Sequence, residues 1–386
     1  MKREYPEHYE LLCQKGHYPY EWFDDEEKFD FEGLPPMESF YSQLSQKGIS
    51  KKDYDHALKV YDTMKFKNFK DYHEAYLKTD VLLLADVFEN FRKTCLINYE
   101  LDPAHYITSP SLAWDAMLYK TKVKLEQISD YEIFNMVEEQ KRGGLCFVGA
   151  ARHATANNRY LENFKAEEPE NYIMHWDMNN LYGTAMVDLL PYGGHKIEGG
   201  IGIWQVLEHP DEDELGYLVR VDLRFPEETH ELFKQFPPAP ENTAPKAEWL
   251  TDYQKQLVKD NNINISPKQQ KFIPHLHEHK RYVIDYRNLE YLVGLGVEIA
   301  EVHTIVSYSQ SRWLKPYIDF NTEMRKKAKN EFGKDLFKVM NNSVLGKTMD
   351  NVRNVMKMHV TTDDANAENG SASPLFKTVI TSSAST

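Results

Sequence analysis

Apolar residues recur at three- and four-residue spacing through Tyr76-Leu-Lys-Thr-Asp-Val-Leu-Leu-Leu-Ala-Asp-Val-Phe-Glu-Asn-Phe91, which is the spacing of one helix face. The helical pattern extends from about Lys51 to Leu101 and resumes from Ser111 to Glu139, where Gly143-Gly144 breaks it. Strand-like runs are predicted at Leu145 to Val148, Tyr172 to Trp176, Gly216 to Leu223 and Glu298 to Ser307. Tyr282 to Leu295 and Leu314 to Gly346 read as helical. The first forty residues, aromatic and acidic with scattered prolines, predict loops and short elements. Pro237 to Pro245 reads as a loop, Lys246 to Lys271 as a polar insertion, and Thr361 to Thr386 as a Ser-, Thr- and Ala-rich tail. Helices, then strands, then helices give an α/β or α+β layout without internal repeats.

Composition narrows this only slightly. The 386 residues are enough for two or three domains, and 41% hydrophobic content is ordinary for a globular chain. No run approaches the roughly 18 apolar residues of a membrane span, and the N-terminus has no apolar signal-peptide core. Cys13, Cys95 and Cys146 lie far apart, without metal-ligand spacing. They read as reduced thiols of an intracellular protein, nuclear or cytoplasmic. The net charge of −14 argues, taken alone, against a nucleic-acid partner. Yet Glu301 to Val360 carries 11 Lys and Arg against 6 Asp and Glu, so one basic wall is available to phosphates.

Two segments can carry chemistry. Asp177 closes the apolar run Tyr172-Ile-Met-His-Trp176 and precedes a helix-capable stretch, Asn180-Leu-Tyr-Gly183. A carboxylate at a strand end suits Mg²⁺, which takes hard oxygen ligands and substrate phosphates; it equally suits a helix N-cap. In the second, Lys334 and Lys338 are four apart, so one helix face offers two ammonium groups, with Asn342 continuing that face, Ser343 beside it and Lys326 upstream. Fixed cations of this kind suit a triphosphate, and Gly346 permits close approach. The alternative is an amphipathic helix with Leu336, Phe337 and Met340 inward and the lysines in water. His275, His277 and His279 alternate as ligands on a strand face would, but Glu278, Lys280 and Arg281 predict a solvated hairpin instead.

Taken together, Asp177-Met-Asn-Asn-Leu-Tyr-Gly183 and Lys338-Val-Met-Asn-Asn-Ser-Val-Leu-Gly-Lys347 resemble motifs A and B of the B-family DNA polymerases, in the variant of the protein-primed branch of Maverick/Polinton-type elements and related viruses. The similarity reaches through Leu101-Asp-Pro-Ala-His-Tyr106, Leu112-Ala-Trp-Asp-Ala-Met117 and Trp313-Leu-Lys-Pro-Tyr-Ile-Asp319 to about residue 358. The resemblance implies an α+β chain. Its parts would be a partial RNase H-like 3′–5′ exonuclease domain (1–110), a connector (111–170), a palm with an insertion near 237–280 (171–320), fingers (321–360) and a polar tail.

By that resemblance Asp177 holds Mg²⁺ ions, Tyr182 packs under the incoming sugar and excludes rNTPs, and Lys326, Lys334 and Lys338 contact the dNTP phosphates. Asn342, Ser343 and Gly346 shape the base-pair pocket. Tyr76 and Asp80 match the third exonuclease motif, Asp80 as metal ligand. Arg142, Gly143 and Gly144 stand where a connector contacts template, although Lys141 replaces that motif's tyrosine. Implied partners are primer–template DNA, dNTPs and a terminal-protein primer, with no membrane. Gly183 replaces the commoner proline, and Leu345 the usual motif B aromatic.

A two-ion site needs at least two carboxylates. The family's motif C, of Asp-Thr-Asp type, has no match; Thr361-Thr-Asp-Asp364 is the nearest acidic pair. The first exonuclease motif is also missing, since Asp24-Asp-Glu26 falls in an acidic loop. The expectation is a polymerase truncated at both ends, inactive in primer extension by itself.

Overall fold

Capping residues set the helix starts that the periodicity predicts. In the computed structural model, which describes residues 1–139, 141–149, 153–264, 266, 268 and 270–354, the chain divides into two units, Met1–Lys122 and the part from Val123 onward. The first unit holds α1 (Tyr9–Leu12), α2 (Lys51–Thr63), α3 (Phe69–Tyr99) and α4 (Ser109–Thr121). Ser50, Asn68 and Thr108 accept the backbone N–H groups of Asp53, Asp71 and Ser111, so α2, α3 and α4 each begin on a side-chain cap. Glu100 and Lys122, both left-handed, end α3 and α4.

The core of this unit is aromatic. Phe69 and Tyr72 at the head of α3 and Ala57 of α2 bury themselves among Tyr18, Trp22, Phe23 and Phe29. The rest of α3, whose 31 residues span roughly 46 Å, behaves otherwise. Its stripe Leu77, Val81, Leu84 and Phe88 is helically spaced as predicted but exposed. Periodicity fixed the helix there, not its burial.

The second unit contains α5 (Tyr131–Glu139), α6 (Leu181–Met186), β1 (Leu190–Ile197), α7 (Ile203–Leu207), β2 (Leu215–Arg224), α8 (Glu227–Phe233), β3 (Glu241–Thr243), α9 (Asp252–Asp260), β4 (Lys271–Ile273), β5 (His279–Asp285), α10 (Tyr286–Gly294), β6 (Glu298–Ser311), α11 (Lys315–Lys327) and α12 (Glu331–Thr348). Four strands form one antiparallel sheet in the order β1-β6-β2-β5, and β3 pairs with β4 apart from it. The fold is α+β, as expected. On one side of the sheet, Val219, Val221 and Leu223 pack with Val206, Leu207, Phe233, Leu289 and Leu292 from α7, α8 and α10. On the other, Ile133 and Met136 of α5 meet Val283 and Val306. Among the described residues no helix is long and apolar enough to cross a membrane.

Asp222 organises the middle of the sheet. It is 3% exposed, and around it the register slips on both neighbouring strands. Lys280 and Arg281 stand opposite it as a two-residue bulge in β5, Arg281 in the left-handed region at φ 53°. Asp222 accepts the Arg281 N–H at 2.7 Å, pairs with the Lys280 ammonium at 2.9 Å and meets His303 Nε2 at 2.7 Å. Burial pushes its carboxyl up, but these three partners outweigh burial and hold it well below the usual carboxylate range.

Four expectations change. Leu145 to Val148 lies in no strand, and neither does Tyr172 to Trp176, whose side chains are exposed. Strand pairing is tertiary, and among the described residues that run, past the bridge of Asn157 with Asn171, has no neighbouring strand. Tyr282 to Asp285 belongs to β5 rather than to a helix; the helix starts at Tyr286, where Asp285 caps it by accepting the Arg287 N–H. Short β3 interrupts the predicted loop Pro237 to Pro245. The tail, with Thr361 to Asp364, lies outside the described residues.

Candidate functional site

Asn180 begins the local structure that follows Asp177. It adopts the left-handed conformation that asparagine tolerates, at φ 57°, and forms the N-cap of α6. That helix places Tyr182 one turn beyond the acid, half-exposed, and packs against both α11 and α12. Motifs A and B are therefore brought together through their helices. Gly144 lies close by: a Cβ there would stand 3.6 Å from the Tyr182 hydroxyl oxygen, so this glycine backbone runs beside the tyrosine.

The pair α11 and α12 is joined by a polar contact that sequence reading missed. Asn321 and Asn341, both buried, share a hydrogen bond of 2.8 Å, and the Tyr317 hydroxyl donates to the Met340 carbonyl at 3.1 Å. Leu336, Phe337 and Met340 face inward, as the amphipathic alternative has it, and Asn341 and Val344 share that face. The signal was one residue from the one chosen: of Asn341-Asn342, the first is core and the second only half-buried. We expect Asn341→Leu to destabilise the second unit by about 1–3 kcal/mol, since the buried hydrogen bond to Asn321 is lost. The double variant Asn321→Leu/Asn341→Leu should recover part of that loss in urea unfolding. Additive losses would contradict the pairing.

The three lysines differ. Lys326 and Lys334 each pair with a glutamate three residues earlier, Glu323 at 2.9 Å and Glu331 at 2.7 Å. Lys338 is exposed and makes no ion pair among the described residues. Exposed pairs of this kind contribute only about 0.3–0.5 kcal/mol, so all three cations are open to an anion, Lys338 most freely. Asn342 and Ser343 are half-buried on α12 and Gly346 is exposed near its end.

Asp177 itself is exposed on a segment outside any helix or strand, not fixed at the end of a buried strand as expected. Among the described residues it belongs to no group of three or more His, Cys, Asp or Glu side chains with ligand atoms in mutual reach. One carboxylate can share an Mg²⁺ ion with substrate phosphates. It does not complete the two-ion arrangement.

Arg142 lies against β5. Its guanidinium lies 4.0 Å from the Tyr282 ring centroid and donates to the Val283 carbonyl at 2.9 Å, and burial lowers its pKa. These contacts hold the backbone around residue 142 to β5. Lys141 donates to the Asp350 carbonyl at 2.8 Å, while Arg353 pairs with Glu138 at 2.7 Å. Residues 138–141 are thus tied to the segment just past α12.

In the first unit, Tyr76 and Asp80 share one turn of α3. Burial, then a 2.6 Å hydrogen bond with the Tyr20 hydroxyl, raises the Tyr76 pKa. Both residues line a cavity of about 30 Å³ with Leu12, Ala57, Tyr72 and Thr79. That admits one or two waters and no nucleotide. Asp80 is exposed and joins no potential metal cluster among the described residues. Asp24-Asp-Glu26 is solvated, Asp24 pairing with Lys28 and Asp25 capping a 3₁₀ turn.

The histidine triplet is not the solvated hairpin predicted. His277 is exposed and stacks on Trp249, but His275 and His279 are buried with their rings stacked 4.3 Å apart. The bulge at Lys280-Arg281 accounts for this, because it carries the charged residues outward while His279 turns into the core.

Comparison with known proteins accords with these motifs. Residues 3–382 match the family of DNA polymerase type B, organellar and viral. No curated protein matches. Among solved structures, an orthorhombic crystal form of Phi29 DNA polymerase is similar at 17% identity and a TM-score of 0.43, covering 86% of this chain and 47% of that one. Its ternary complex with primer-template DNA and incoming nucleotide substrates gives 16% identity and a TM-score of 0.41, with the same coverage of both chains. The chain thus spans about half the length of these polymerases, and it is the family match over nearly every residue that carries the assignment: this chain belongs to the organellar and viral type B DNA polymerases.

Proposed function

We propose that the chain serves template-directed DNA synthesis, positioning a dNTP against a primer 3′ end, in the protein-primed branch of its family. One observation supports this most: α6, which follows Asp177 and carries Tyr182, packs on the helices that present Lys326, Lys334 and Lys338. A triphosphate reaching the lysines from the motif A side would lie along Tyr182. In this reading Asp177 supplies one carboxylate to Mg²⁺ and Tyr182 closes the space that a 2′-hydroxyl would need. Asn342, Ser343 and Gly346 line the base-pair side, and Gly143 and Gly144 let template approach. Arg142 braces that connector. Residues 1–110 would be the exonuclease part, with Tyr76 and Asp80, and 321–360 the fingers.

Equilibrium titration of dATP and ATP against residues 1–386 on primer–template DNA tests the reading. We expect a preference for dATP that Tyr182→Ala reduces by roughly tenfold or more. No dNTP binding, or a preference untouched by Tyr182→Ala, would sink it.

A second reading is a nucleotide- and DNA-binding remnant without catalysis, favoured by the solitary carboxylate at Asp177. Primer extension separates the two. Extension that disappears in Asp177→Asn supports the enzyme, and binding without extension supports the remnant.

A further inference from the structure

We propose that Glu241, His275 and His279 form a binding site for a Zn²⁺ ion that fastens the base of the excursion between β2 and β5. The three side chains bring one ligand atom each within 4.8 Å of one another. Glu241 Oε1 and His275 Nε2 stand 2.9 Å apart, though the residues are 34 positions apart in the chain. Bonds of about 2.0 Å in a tetrahedron put neighbouring ligand atoms roughly 3.3 Å apart, so this pair needs only a small adjustment.

The second observation is independent of that clustering. His279 is fully buried, and neither of its ring nitrogens makes a well-formed hydrogen bond, though the backbone of Ala239 and His277 lies close to the ring; His275 Nδ1 is buried without a partner. A neutral imidazole carries one donor and one acceptor; backbone carbonyls serve only the donor, and an acceptor left unpaired in a core costs on the order of 1–3 kcal/mol. A metal ion relieves this by taking the acceptor nitrogen. Two neutral imidazoles and a carboxylate suit Zn²⁺ in softness and charge, with the fourth position left to water.

The fold presents these donors in a fixed way. Glu241 opens β3, whose pairing with β4 stops at Ile273, and His275 follows two residues later. His279 opens β5 just before the bulge that Asp222 stabilises. Phe225 and Tyr282 wall the ring on its other sides. The Arg142 cation acts on Glu241, and its bond to the Val283 carbonyl holds it on the Tyr282 face. The neighbouring group Asp222, Glu301 and His303 is unlike this one. There the Lys280 ammonium and the Arg281 amide already occupy the Asp222 oxygens.

The experiment uses the full chain, stripped with a chelator and reloaded with Zn²⁺ or Co²⁺. One ion per chain is expected, with tetrahedral visible bands for Co²⁺. Zn²⁺ at a hundredfold excess over Kd should raise Tm by about 5–10 °C. Glu241→Gln should weaken Co²⁺ binding at least tenfold, His279→Ala should abolish it, and His277→Ala should leave it unchanged. Should His279→Ala fail to fold, the Co²⁺ spectrum of the unaltered chain and the Glu241→Gln titration decide. Absence of a stoichiometric ion in the unaltered chain overturns the proposal, and so does a loss in His277→Ala equal to that in Glu241→Gln.

Discussion

Lys338→Ala is expected to weaken dNTP binding by roughly tenfold to a hundredfold, whereas Lys326→Ala and Lys334→Ala should each cost about threefold or less. The difference follows from what each ammonium does before ligand arrives. A charge-assisted hydrogen bond to phosphate contributes about 1.5–3 kcal/mol. In the proposed site Lys338 would make that bond without giving up another, while Lys326 and Lys334 would first release Glu323 and Glu331. Removing either paired lysine also frees a carboxylate near the phosphates, but both glutamates are well solvated and their repulsion is screened. Titration of dNTP into the chain on primer–template DNA, at one fixed salt concentration, measures all three. Equal losses would mean that the phosphates lie elsewhere.

The second large effect concerns stability. Asp222→Ala should lower the unfolding free energy of the second unit by about 2–3 kcal/mol, because it strips partners from the Arg281 N–H and His303 at once. The pH dependence has a definite sign. The folded carboxyl titrates below its unfolded value near 3.9, so its contribution is complete above about pH 5. It fades as pH falls below 4 and through the folded value. Urea midpoints at pH 7 and pH 3.5 should therefore differ more in the wild-type chain than in Asp222→Ala. Identical pH slopes would remove Asp222 from this role.

Much of this was legible in the residues. Beta-branched runs gave β2 and most of β6, periodicity gave α2, α3, α11 and α12, and the motif wording gave the family. What stayed hidden was tertiary. Nothing in Tyr172-Ile-Met-His-Trp176 states that it finds no neighbouring strand. Nothing in Asn341-Asn342 tells which amide meets Asn321. The charged residues beside His279 pointed to solvent, because a bulge that reverses their direction is written partly in Asp222, 57 positions upstream. The exposure of Leu77, Val81, Leu84 and Phe88 is similar: spacing reports a face, and only neighbours decide whether it is covered.

The ties of Lys141 to Asp350 and of Arg353 to Glu138 have a mechanical consequence. They fix the far end of α12 to the segment around α5, which itself rests on the sheet. A swing of the α11–α12 pair therefore pivots at the C-terminal end of α12, and its amplitude grows toward the turn at Ala328 to Asn330. Lys326 and Lys334, flanking that turn, travel farther than Lys338, which sits closer to the fulcrum.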